Sequence, residues 1–307
     1  MFRRPHLLLT LCLPAVVTAA PYTPTDDAQV LERVPARATD PRARELHALR
    51  LQLRQDPLNL ELAVQLAQRC YDEVAAQGDP RYIGQAEAAL RPWLGLADPP
   101  VAVRVLRAIL LQFDHRFEPA LADLDAALRA EPGHAEAAAW RTAILMVRAE
   151  YDAARASCRQ MAAHTTPLMA AACAAQVDAA TGHAAEAAAA LRAALRTDLG
   201  ASAPERLWSL SRLAETEERR GDFAAAETAF GDALALGLPD VYLQAAYADF
   251  LLDRGRPAEV LTLLQGRGRV DVLLLRLALA ARAAGDTGAA AHAQELRARF
   301  DAARRRG

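Results

Sequence analysis

Two glycines, Gly221 and Gly255, stand 34 residues apart in matching surroundings. Each closes an apolar-periodic segment, LWSLSRLAETEERR before Gly221 and VYLQAAYADFLLDR before Gly255. A second periodic segment then starts on small residues. Helix periodicity on both sides of a glycine turn, repeated at that interval, is the pattern of stacked helical hairpins. One hairpin cannot bury its own apolar stripe, so each must lean on the next.

The same punctuation runs along most of the chain. Helix pairs are expected at 58–77 with 81–95, 100–113 with 117–130, 134–148 with 151–163, and 167–180 with 184–196. After an insertion from Thr197 to Ala203 come 205–219 with 223–236, 240–253 with 257–265, and 271–284 with 287–304. Breakers separate them at Pro99-Pro100, Pro132-Gly133, Pro167, Pro204 and Pro239. Ahead of these, Asp40-Pro41 reads as a helix cap with proline in the first turn, and Leu46, Leu49 and Leu53 carry the stripe up to Asp56-Pro57. Hydrophobic residues make up 53% of the chain and aromatics only 5%, with runs such as Ala187 to Ala190. A core of alanine and leucine requires helices that approach closely.

Residues 1–19 read as an export signal: Arg3 and Arg4, an apolar run from Leu7 to Val17, then small residues with a cut expected after Ala19. That run is too short to span a bilayer, which takes about 20 residues. Residues 20–40, with Pro21, Pro24 and Pro35 and no sustained period, read as a flexible linker, and 41–307 as the repeat domain. The expected location is periplasmic or secreted, with no membrane contact beyond export.

Aligned on its turns, the chain resembles the tetratricopeptide repeat family. The small residue in mid first helix is matched by Ala108, Ala175, Ala214, Ala248 and Ala278. The alanine early in the second helix is matched by Ala86, Ala120, Ala154, Ala187, Ala226 and Ala290. Gly221-Asp222-Phe223 with Phe230 follows the family turn most closely, while Thr142 and Val260 depart from it. The resemblance implies an all-α, right-handed superhelical solenoid of about seven hairpins, with first helices lining a concave face that binds protein or peptide.

Catalytic chemistry finds no support. The glycine run Gly266-Arg267-Gly268 follows a helix and leads into no phosphate-binding pattern, and HExxH is absent. No enzyme, cofactor or metal site is expected. Formal charge is −2, every basic residue is Arg, and nothing suggests nucleic acid. Cys158 and Cys173 fall at one level across consecutive antiparallel helices, which makes a disulfide possible; the alternative is a pair of small buried thiols. Cys70 would be an inert core residue.

By the resemblance, Ala139, Ala143, Met146, Met169, Ala172 and Gln176 face the groove in the middle units. Trp208, Ser211, Glu215, Glu218, Tyr242, Ala245, Asp249, Arg276 and Arg282 do so in the last three. Aromatics beside charges of both signs suit peptide recognition. The family's Lys-and-Asn clamp for a peptide carboxylate cannot exist here, because the chain has no Lys and Asn59 is its one Asn. The reading is a non-catalytic envelope scaffold binding a protein or peptide through its concave face. The alternatives are an assembly subunit docking through its ends or convex face, and a small-ligand or metal-binding protein using His134 and His164.

Overall fold

The computed structural model describes Asp26 and residues 40–306, so the expected leader and all but Asp26 and Asp40 of the linker lie outside the described residues. The chain divides into two compact units, 1–44 and 45–307. In the first, Asp40 caps the opening turn of a helix, its Oδ1 accepting the Arg42 N–H at 3.0 Å.

In the second unit every regular element among the described residues is helical. Helix α1 (Pro41–Gln55) precedes seven hairpins. These are α2 (Leu60–Gln77) with α3 (Arg81–Leu94), α4 (Val101–Phe113) with α5 (Phe117–Ala130), and α6 (Ala135–Val147) with α7 (Tyr151–Ala162). Next come α8 (Pro167–Ala180) with α9 (Ala184–Thr197) and α10 (Ala203–Arg220) with α11 (Phe223–Ala235). The last are α12 (Val241–Asp253) with α13 (Pro257–Leu263) and α14 (Asp271–Ala284) with α15 (Ala289–Arg306).

One turn recurs. The N–H of Asp222 returns to Glu217 O at 2.9 Å, and the residue before it, Gly221, is left-handed at φ 82. The same bond joins 116 to 111, 150 to 145, 183 to 178, 256 to 251 and 286 to 281. This is the helix ending in which an αL residue lets the chain reverse. Glycine fills the αL site in four of these six turns, but His115 and Ala149 hold it in the other two, at φ 58 and 59. Side-chain caps start six of the helices of the hairpins: Asn59, His134, Thr166, Asp222 and Asp240 each accept an early N–H, and Ser202 forms a reciprocal capping box with Glu205. Pro204 therefore sits inside the first turn of α10, where a missing N–H costs nothing, instead of ahead of it.

Close approach follows from alanine. Ala108, Ala175, Ala214 and Ala248 are buried, as are Ala86, Ala120, Ala154 and Ala226, while Leu90, Leu124, Leu191, Phe230 and Phe250 wedge between hairpins. The last hairpin differs: Ala278 is half-buried and Ala290 exposed, and Leu273, Leu277, Ala280 and Ala281 fill its interior. No further hairpin follows it in the described residues. Apolar packing falls into two clusters that meet on α8, with Cys173 and Val177 in the first and Leu168, Ala172 and Ala175 in the second. Cys158 and Cys173 are joined as a disulfide between α7 and α8, with Thr142 Oγ1 at 3.7 Å from both sulfurs. Cys70 is free and buried.

The repeat unit also curls until its first hairpin meets the sixth. Helix α2 packs against α12, and Arg267, in the segment between α13 and α14, donates from Nη2 to Ala76 O at 3.4 Å and from Nε to Gln244 at 3.0 Å. Gly78 stands so close to Val270 that a β-carbon there would lie 2.5 Å from its Cγ1.

Candidate functional site

Small residues on the inner side of α6 and α8 leave room that no neighbouring helix fills. Ala139, Ala143 and Ala179 form the low part of a cavity of about 710 Å³. Trp140, Met146, Met169 and Trp208 stand around them, and the curl brings in Tyr71 from α2 and Tyr242 from α12. Tyr71 meets Trp140 edge to face at 5.5 Å, an arrangement aromatic pairs favour.

Charge is organised on the α10–α12 side. Arg212 makes two contacts of 3.0 Å with the Glu215 carboxylate, and its guanidinium lies 5.0 Å from the Tyr242 ring centroid. Tyr242 Oη also donates to Glu215. Burial opposes the Arg212 charge, but Glu215 and Tyr242 outweigh it and hold its pKa above the ordinary value.

The side nearer Tyr71 and Trp140 lacks such a pair. Asp240, half-buried, caps α12 by accepting the Leu243 N–H at 2.7 Å, and it makes no ion pair among the described residues. Burial pushes its carboxyl up, against the pull of those backbone N–H groups and Arg212. Glu136 is exposed, yet neighbouring protein displaces enough water to push its carboxyl up too, opposed by His134 and Trp140. Burial raises Tyr71 furthest, with Asp72, Glu136 and Asp240 adding to it, so the field at that hydroxyl is negative.

The expected groove residues divide. Trp208, Glu215 and Tyr242 line the cavity together with Ala139, Ala143, Met146, Met169 and Gln176. Asp249 and Arg282 line a separate shallow depression, and Asp249 is bound at two points by Arg276, at 2.9 and 2.5 Å. Glu218 lines neither; it is half-buried without an ion pair among the described residues, and burial raises it, reinforced by Asp253. Ala172, Ser211 and Ala245 are buried between helices and do not face the groove, contrary to the sequence reading. One step around α10, Arg212 takes the place assigned to Ser211.

Tyr71, Trp140, Arg212 and Asp240 were not anticipated. A signal existed for Trp140, a large aromatic beside groove-facing Ala139, and for Asp240 as a helix cap. None existed for Tyr71, which arrives through curvature. His134 caps α6 through Nδ1, and His164 packs against Gly133; no group of three metal-capable side chains occurs among the described residues. No helix among them is long and apolar enough to cross a membrane.

Among solved structures, a tetratricopeptide repeat protein from Parabacteroides merdae aligns at 16% identity and TM-score 0.53, over 76% of this chain and 90% of that one. MamA from Desulfovibrio magneticus RS-1 aligns at 18% identity and TM-score 0.36, over 58% of this chain and 94% of that one. The APC/C hetero-tetramer Cut9-Hcn1 aligns at 13% identity and TM-score 0.35, over 83% and 52%. The last two overlaps are too loose to argue from. No family model and no curated protein matches the chain.

Proposed function

We propose that this protein, whose fold is that of a tetratricopeptide-like helical repeat, is a non-catalytic scaffold of the cell envelope that binds a protein or peptide through its concave face. The observation that carries the reading is the inner cavity, where four aromatic side chains surround a space large enough for side chains of a guest. Aromatic anchors of this kind supply most of the energy at protein interfaces. Export rests on the N-terminal leader pattern. The disulfide between α7 and α8 suits an oxidising compartment.

The test is affinity capture from native envelope extract, using the chain beside Trp208→Ala and Tyr242→Ala variants whose helicity matches it. A partner retained by the parent chain and lost by the variants is the expected result. A partner held equally by both would move the site to the ends or convex face.

A further inference from the structure

The cavity has two unlike halves. On the α10–α12 side a guanidinium already lies against an aromatic ring and meets a carboxylate: Arg212, Tyr242 and Glu215. On the other side stand rings of the same kind, Tyr71 and Trp140, with the Asp240 carboxylate, which forms no ion pair among the described residues. From this comparison, and resting on the concave-face reading above, we propose that the cavity receives a basic side chain, Arg or Lys, of a bound peptide, between the aromatic rings and against Asp240.

Three observations support a cation over other guests. Aromatic faces attract a cation within about 6 Å, most strongly when water is excluded. Burial of Asp240 outweighs the pull of its backbone N–H partners and of the nearby Arg212, and Glu136 and Asp72 add negative charge around Tyr71. The positive groups of the lining are placed otherwise: Arg212 is engaged by Glu215 and Tyr242 through its terminal nitrogens, with only its buried Nε left without a partner among the described residues, and Arg219 stands exposed on the rim. An acidic guest would meet Asp240 without a free buried cation to answer it.

Two of the three tryptophans, Trp140 and Trp208, line the cavity, so intrinsic fluorescence reports on it. The probes are blocked pentapeptides, Ala-Ala-Xaa-Ala-Ala, with Arg, citrulline, norleucine or Glu at the centre. The Arg peptide should shift the emission saturably, and the citrulline and norleucine peptides should bind at least ~10-fold more weakly. Asp240→Asn should weaken the Arg peptide ~10-fold, because Asn preserves the helix cap while removing the charge. Glu136→Gln, in the first turn of α6 but with no part in its His134 cap bond, should weaken it in the same direction. Equal binding of norleucine or citrulline would overturn the proposal in favour of a merely apolar cavity. Tighter binding of the Glu peptide, or no binding of the Arg peptide up to about 10 mM, would also overturn it. A partner captured in a Trp208-dependent way while the Arg peptide fails would defeat this inference alone; loss of both would defeat the concave-face reading with it.

Discussion

Single side chains decide more here than the repetition suggests. Ala149 holds a left-handed turn position that glycine holds in four sister turns. A β-carbon there costs roughly 1–2 kcal/mol, partly offset by the greater freedom glycine has when unfolded. Ala149→Gly should therefore raise stability by about 0.5–1 kcal/mol in urea denaturation; a loss would mean that the turn is not left-handed. Asp240 bears on pH. Its folded pKa is raised, so the folded state holds its proton more tightly than the unfolded chain does. That contribution is complete below the unfolded carboxylate pKa and is lost as pH rises through the folded value. Asp240→Asn should thus gain stability over the parent at neutral pH and converge with it in acid. Parallel melting curves across that range would contradict the burial argument.

At the scale of helices, the junction on α8 is where apolar packing passes from one cluster to the other, and the disulfide ties α7 to α8 there. It closes a loop of sequence separation 15, for which chain entropy gives about 3 kcal/mol. The double variant Cys158→Ala, Cys173→Ala should lower hydrogen-exchange protection in α7 and α8 by about that amount, with little change in α12 or α14, because repeats are coupled mainly to neighbours. Uniform loss across the unit would contradict that coupling. Helix positions were legible in the sequence to within a few residues, since local chemistry determines them: Pro167, Gly221 and the caps at Thr166 and Asp222 mark ends wherever they occur. The cavity was only half legible. Trp208, Glu215 and Tyr242 lie on helices whose inner face the repeat pattern identifies, but Ser211 and Arg212 differ by one step, less than that pattern resolves. Tyr71 depends on the angles between six successive hairpins, from α2 to α12, and no local signal encodes their sum.

That summed curvature gives the repeat unit its inner cavity. Without the meeting of α2 with α12 and the segment before α14, Tyr71 would lie far from Tyr242, and the inner face would be an open groove. The seam is made by small means: the Arg267 bonds to Ala76 and Gln244, and the bare backbone of Gly78 against Val270. It also offers the most direct test. A β-carbon built on Gly78 lies 3.6 Å from Val270 Cβ, within the range of about 3.5–4.5 Å that a disulfide requires. In a Gly78→Cys, Val270→Cys variant, mild oxidation should join the two new thiols, read as a 78–270 cross-linked peptide in mass spectrometry while buried Cys70 stays unpaired. Free, alkylatable thiols at both positions in a variant of normal helicity would mean that the first hairpin and the segment before α14 stand apart in solution, and the cavity would lose its Tyr71 wall.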